Sequence, residues 1–459
     1  MKLNFLGSIG TVSGSCTEII YNHSIGYVDC GLFQGPKEIR ARNWETLQNA
    51  KTAKWVLLTH AHIDHCGYLP KLYKDGFRGT IFCSKETAKL ARIMLLDAAH
   101  LQEEDARFAN ESKHSSHDPA LPLYTTEDAL AVLKHFRAVE MHEWLPLDRG
   151  LQFRLHRAGH ILGSCFLEVS FQTASAENRV VTFSGDLGRY GSLMLKDPES
   201  LPETDYVVME STYGDRTVDK SRVKDQVAKA INEVIGREGT LLVPAFAVGR
   251  TQDILFLITQ LEAEGKIPKV RVVIDSPMAS EVTELYNFFT DELKHDFNPT
   301  VRAAIEQRRF EFTQSSDESM LLCMDSSAKI VIAGAGMLNG GRIMHHLKTK
   351  LSDEKNGVMF VGYQATGTKG LLLKNGLPKI RIHHQLIDVN ATIYSVDSLS
   401  AHADSEEILS WLKTCRTQPK KIFLNHGEDH AIEALKYRIV NELGWNCKVP
   451  TEGKPNLLD

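Results

Sequence analysis

The eight cysteines never form a CxxC pair and show no repeated spacing, which argues against a zinc ribbon and against a disulfide framework. Reduced thiols in or near the core are expected, with the cytoplasm as the default compartment. No run approaches the roughly 18 apolar residues of a membrane span. Met1 to Gly14 lacks the basic region and the apolar stretch of roughly 7–15 residues that mark a secretory leader. Neither sign of charge dominates, because 53 basic and 58 acidic residues give a net charge of −5. A chain basic overall is excluded, so a polyanionic partner would have to meet a local patch. No internal repeat of fixed period is visible, and composition excludes collagen-like, coiled-coil and disordered chains.

The 459 residues, 42% apolar and 24% charged, suffice for two or three packed domains. Short β-branched runs alternate with helical stretches, the pattern of an α/β protein. Strands are expected at 2–6, 17–21, 25–28, 54–59, 166–171, 180–183 and 206–209, and again at 240–243, 270–274, 329–333, 358–361, 391–395 and 421–424. A helix is expected over Thr87–Asn110, followed by a polar loop over Glu111–Pro119. Five of the strands run directly into a residue that can bind metal or move a proton: Asp29, His60, Asp186, Glu210 and His426. One polar strand end is ordinary; five restricted to Asp, Glu and His point to one shared edge carrying a site. From about Thr212 to Gln385 the rhythm changes. Four strands lead into turns at 243–250, 275–279, 334–342 and 362–368, a Rossmann-like βα run that reads as a second domain. The 334–342 turn approaches a dinucleotide fingerprint, but Asn339 and Gly340 do not fit GxGxxG, so amides facing some phosphate are the better expectation.

The segment His60-Ala61-His62-Ile63-Asp64-His65 puts three imidazoles and a carboxylate within six residues behind a buried strand. His60 and His62 can reach one ion. Asp64 and His65, at the turn into a helix expected over Cys66–Lys74 with Asp64 as its N-cap, can reach a second beside it. Zinc takes about four ligands, so one motif cannot fill two such shells. His160, Asp186 and His426, each set among small residues, supply the remainder. The ligands then sort as His60, His62 and His160 on one ion and Asp64, His65 and His426 on the other. Asp186 is shared, and Asp29 orients ligands. Two ions roughly 3.5–4 Å apart are the usual device for in-line displacement at phosphorus.

His60–His65, His160 and Asp186 resemble the signature set of the metallo-β-lactamase superfamily. Glu210 after its strand, Ser-Leu-Ser-Ala-His-Ala-Asp at 398–404 and Leu-Asn-His-Gly-Glu at 424–428 resemble the motifs of its β-CASP branch of RNA- and DNA-processing nucleases. The resemblance covers essentially the whole chain. It implies an αββα sandwich, residues 1–211 and 386–459, with an inserted Rossmann-like β-CASP domain over 212–385 and an active site in the cleft between them. It implies His402 as general acid, Glu210 as its partner, Asp64 among the catalytic carboxylates, and Ser398 and Ser400 at a substrate phosphate. Histidine at 426 resembles the RNA-acting members. Members with extra N-terminal RNA-binding domains exist, and none is expected ahead of this chain's first strand.

Between Arg342 and His384 stand eight basic and two acidic residues, a local excess in an acidic protein. Arg250 and Arg342, beside glycine turns, are the expected phosphate contacts. The expectation is therefore a two-zinc ribonuclease, with manganese as the alternative metal. It would cut single-stranded RNA to 5′-phosphate and 3′-hydroxyl ends in endonucleolytic or 5′-exonucleolytic mode, away from membranes, with homodimer formation left open. The alternatives are a thioester or lactone hydrolase of the same superfamily, against which the long insert argues, and an RNA-binding scaffold without chemistry.

Overall fold

The computed structural model describes residues 1–112, 118–219, 221–294, 310–362, 364, 367–396 and 399–459. They form two compact units. The first comprises Met1–Gly191, Asp197–Thr217 and His402–Asp459, and the second Ser192–Lys196 and Val218–Ala401.

The first unit is built on strands too apolar to face water on either side. Tyr206–Met209 is buried at every position. Tyr206 and Val208 belong to one core cluster, and Val207 and Met209 to another. Two seven-stranded sheets result. Their facing residues, among them Phe5, Ile19, Trp55 and Leu57 from one and Phe153, Leu167, Val181 and Phe423 from the other, fill the space between. Helices Ser405–Leu412 and Asp429–Arg438 cover the outer face of the second sheet through Ile408, Trp411, Ile432 and Leu435. The long helix Lys85–Ser112 packs against Phe136–Ala138 of the first. The layers run α, β, β, α.

Strand direction places the site. Asn178–Phe183, Tyr206–Met209 and Lys421–Leu424 are parallel neighbours, so their carboxyl ends align and deliver Asp186, Glu210 and His426 side by side. In the other sheet Ser24–Val28 and Trp55–Leu57 are parallel and deliver Asp29 and His60. His160 follows strand Leu151–Arg157, which is antiparallel to Cys165–Gln172 and so runs the same way as Asn178–Phe183.

The second unit carries a six-stranded parallel sheet, in spatial order Glu311–Phe312, Val272–Asp275, Lys329–Ala333, Thr240–Pro244, Gly357–Phe360 and Thr392–Ser395. Helices Arg250–Ala263, Pro277–Phe288, Ile343–Lys350 and Lys369–Lys374 follow its inner strands. Both faces are buried, as a parallel sheet requires. The unit runs past residue 385 because Thr392–Ser395 pairs with Gly357–Phe360.

Some local features differ from expectation. Strand Leu151–Arg157 is not anticipated because Gln152, Arg154 and His156 alternate with Leu151, Phe153 and Leu155 and break the apolar run. The helix expected over Cys66–Lys74 is two pieces, Ile63–Cys66 and Leu69–Lys74. Its N-cap is His62, and Asp64 lies in the first turn, where its carboxylate faces His426 instead of a helix amide. Much of the loop expected at 111–119 falls outside the described residues. The eight cysteines are free, seven of them buried. Among the described residues no helix is long and apolar enough to cross a membrane.

At the end of strand Val272–Asp275 the buried Asp275 carboxylate accepts hydrogen bonds from Thr313 Oγ1, Ser319 Oγ, Arg342 Nη1 and, at 2.7 Å, His346 Nε2. Burial alone would raise its pKa, but these donors outweigh it and hold the group below the ordinary carboxylate range. A depressed folded pKa stabilises the fold above the unfolded value near 4, and that contribution is lost as pH falls toward the folded value. The urea midpoint should therefore decline below about pH 4. Asp275→Asn should flatten that decline and cost roughly 3–5 kcal/mol at neutral pH by stranding Arg342 and His346. Identical pH profiles for the two proteins would refute this role.

Candidate metal centre

The first unit gathers its ligand candidates around Asp186, which is buried. His60 Nε2 lies 3.1 Å from His62 Nδ1, and His160 Nε2 lies 3.2 Å from the same atom. Asp186 Oδ2 is 3.5 Å from both His60 Nε2 and His160 Nε2. On the other side, His65 Nε2 lies 3.2 Å from His426 Nε2 and 3.1 Å from Asp186 Oδ1, and Asp64 Oδ2 is 3.5 Å from His426 Nε2. Four donors held about 2.0–2.1 Å from a tetrahedral ion stand about 3.3–3.4 Å apart. These pairs, 3.1–3.5 Å, lie near that spacing, while Asp64 Oδ2 stands 4.0 Å from His65 Nε2 and Asp186 Oδ1 meets His426 at Nδ1, 3.4 Å away; Asp186 turns one oxygen toward each set. Asp186 Oδ1 is buried without a hydrogen-bond donor, as a metal-facing oxygen would be. The donors fit divalent cations.

Backbone geometry makes this convergence feasible. A Cβ on Gly31 would stand 1.6 Å from the Asp64 carbonyl oxygen, and one on Gly188 would stand 2.0 Å from that of Gly159. Only glycine lets those chains approach the Asp64–His65 and Gly159–His160 segments. Ser164 Oγ accepts from the amides of His160 and Ile161 and fixes that turn.

A layer of partners aims the rings. Asp29 Oδ2 is 2.8 Å from His65 Nδ1, and both Asp29 oxygens accept from Thr59. Thr59 Oγ1 is 3.0 Å from His60 Nδ1, and Thr212 Oγ1 is 3.2 Å from His426 Nδ1. Thr59 and Thr212 are not anticipated by the sequence reading. Their only signal is adjacency, Thr59 directly before His60 and Thr212 two residues after Glu210.

Burial, then the neighbouring His60, pushes the His62 pKa down to about 3, and burial also lowers those of His60 and His160. The three rings are therefore neutral, the form that binds metal. Burial opposes charge on His65 too, but Asp186 and Asp29 outweigh it and raise its pKa, so metal must displace a proton there.

His402 stands beside the donors without joining either set. Its Nδ1 is 3.2 Å from Glu210 Oε2 and 3.9 Å from Asp186 Oδ2, and its ring lies 4.5 Å from that of His160. Burial works against its charge, but Glu210, helped by Asp186 and Asp64, outweighs burial and raises the pKa. Glu210 is itself fixed by the amides of Leu187 and Thr212. A backbone bridge to Gly188 and the Ala403 amide on the Leu187 carbonyl hold the His402 segment in place.

The expected substrate contacts lie in the second unit. Arg250 pairs with Asp253 at 2.8 Å and donates to the Leu399 carbonyl, and Arg342 is tied to Asp275 and the Gln314 carbonyl. Ser400 is buried, and Ser398 lies outside the described residues. A further group, His142, His156 and Glu199, is spaced for a metal. However, Arg157 holds Glu199 at 2.6 Å and Arg154 holds the Glu168 that pairs with His156, so this is an ion-pair network.

A metallo-β-lactamase superfamily domain model matches residues 22–181, a Beta-Casp domain model 251–373, and a Zn-dependent metallo-hydrolase RNA specificity domain model 386–450. Ribonuclease TTHA0252 of Thermus thermophilus is 34% identical over 446 residues, covering 95% of each chain. The chain belongs to the β-CASP branch of the metallo-β-lactamase superfamily. As a β-CASP protein it is a metal-dependent hydrolase. Its first unit is the αββα sandwich of the superfamily, and the Rossmann-like β-CASP domain interrupts it. Transcription termination factor FttA of a Lokiarchaeum species is 27% identical over 98% of this chain and 70% of its own length. A crystal structure from Enterococcus faecalis, of a protein of unknown function, shares the fold with a TM-score of 0.52 at 14% identity, covering 100% of this chain and 99% of that one.

Because Asp186 presents one oxygen to each donor set, Asp186→Asn should lower metal content by at least one ion per chain, measured by elemental analysis after dialysis. Undiminished content would show that Asp186 is not a shared ligand.

Proposed function

We propose that this β-CASP protein is a two-zinc ribonuclease that hydrolyses single-stranded RNA and leaves 5′-phosphate and 3′-hydroxyl ends. The observation that carries this reading is His402, which abuts the metal donors, lies outside both sets and keeps Nδ1 against the Glu210 carboxylate. His60, His62, His160 and one oxygen of Asp186 would hold one ion; Asp64, His65, His426 and the other oxygen would hold the second. Bound there, the ions supply charge neutralisation and polarisation of a phosphodiester. Zinc suits the mixed nitrogen and oxygen donors, and manganese is the alternative.

The remaining steps belong to the protein's own residues. With Nδ1 occupied by Glu210, His402 Nε2 is the atom that delivers a proton to the departing 3′ oxygen. Glu210 keeps the ring protonated and oriented. Asp29, Thr59 and Thr212 keep the ligand rings aimed. Ser398, Ser400, Arg250 and Arg342 are assigned to substrate phosphates, the arginines acting through donors beyond their internal bonds. RNA as substrate is supported by the RNA specificity model over 386–450, which takes in His402 and His426, and by the ribonuclease relative. Endonucleolytic and 5′-exonucleolytic cutting would use the same residues.

If His402 is the acid, His402→Ala should retain metal and RNA affinity while turnover falls about 10²–10⁴-fold. The defect should shrink on an RNA with sulfur at the scissile 3′ bridge, because a thiolate leaves without protonation. Glu210→Gln should show a milder version. Loss of metal in His402→Ala, or no rescue by sulfur, would overturn the assignment.

A further inference from the structure

The basic excess between Arg342 and His384 divides once its partners are seen. Arg342 is paired with Asp275 and Lys379 with Asp388, Lys350 donates to the Asp325 carbonyl, and Lys355 lies 3.9 Å from Asp353. Lys348 and Lys369 have no ion-pair partner among the described residues. They stand with three imidazoles. Helix Ile343–Lys350 presents His345 and Lys348 one turn apart, both exposed. The turn joining strands Lys379–Ile382 and Gln385–Asp388 presents His383 and His384, also exposed. Both turn residues have left-handed backbone, φ 44° and 64°, a conformation uncommon for non-glycine residues. The His345 and His383 rings stack with centroids 4.7 Å apart and planes 24° from parallel.

A two-residue hairpin turn requires that left-handed backbone, but it does not account for the gathering of like-signed groups. The groups facing His383 are His345 and Lys348 from one helix, Lys369 from the next, and its neighbour His384, all cationic or able to become so. Surfaces normally intersperse the two signs, because like charges at such spacing repel. An anion lying on the cluster would convert that repulsion into attraction, and the exposed imidazole stack offers a flat face to a base.

We propose that His345, Lys348, Lys369, His383 and His384 form an exosite for the phosphodiester backbone of single-stranded RNA, sharing no residue with the metal centre. This rests on the RNA-hydrolase reading above and adds a second, pH-dependent contact to it. Partial burial and the neighbouring cationic groups hold the His383 pKa below its ordinary value; a phosphate favours its protonated ring, so RNA binding should be coupled to proton uptake there, and affinity should rise as pH falls.

The test is fluorescence anisotropy with a labelled oligouridylate of about 20 nucleotides on the full-length, metal-loaded chain. The His402→Ala background limits cutting. Each phosphate contact to a single strand contributes about −0.7 to the slope of log affinity against log salt. Lys348→Gln with Lys369→Gln should therefore flatten the slope by about 1.4. His345→Asn with His383→Asn should abolish the gain in affinity between pH 7.5 and 6. In the otherwise native protein both pairs should leave hydrolysis of bis(p-nitrophenyl) phosphate unchanged. Unaltered salt and pH dependence in both pairs would overturn the exosite. So would displacement of the RNA by millimolar inorganic phosphate equal to that by unlabelled RNA, which would mark a free-phosphate site. A native protein that cleaves no phosphodiester would instead refute the hydrolase reading, while the binding slopes would still decide the exosite.

Discussion

Four carboxylates, those of Asp29, Asp64, Asp186 and Glu210, are packed into one region of the sandwich, and none has a lysine or arginine partner among the described residues. Their counter-groups are imidazoles: His65 for Asp29, His426 for Asp64, four rings for Asp186, and His402 for Glu210. Buried charge without full compensation is expensive. Burial keeps His60 and His160 neutral, and only His65 and His402 are drawn toward their charged forms by the carboxylates they face. The site therefore has an electrostatic deficit that only cations can meet, and the fold is arranged around meeting it.

Parallel pairing explains how residues as far apart in sequence as Asp29 and His426 come to share that deficit. Chemistry sits after the strand, where backbone groups are free and a turn can aim a side chain. Three aligned carboxyl ends in one sheet and two in the other turn five separate motifs into one surface. The threonines and glycines around them set precision. Thr59 and Thr212 fix ring orientation, and Gly31 and Gly188 remove the methylene that would hold the segments apart.

The His60–His65 motif was legible because its donors are contiguous and follow a buried strand. His160, Asp186 and His426 were legible as strand-end residues among small neighbours, and as part of a family pattern. Thr59 and Thr212 were not, since a hydroxyl that orients an imidazole reads in sequence like any turn residue. Strand Leu151–Arg157 was hidden by its own pairing chemistry, because Arg154 and His156 meet Glu168 across the strand pair and interrupt the apolar run. Asp64 looked like a helix cap because its side chain could serve either an amide or a ligand set, and only the tertiary approach of His426 decides between them. Over 342–384 sequence alone does not separate Arg342 and Lys350, which have partners within the second unit, from Lys348 and Lys369, which have no ion-pair partner among the described residues.

The central claim is that a single carboxylate joins two cation sites. Crystals of the zinc-loaded chain, measured at the zinc absorption edge, test it directly. Two anomalous peaks about 3.5–4 Å apart, one beside each oxygen of Asp186, are predicted. A single peak, or two peaks with Asp186 touching only one of them, would contradict the account.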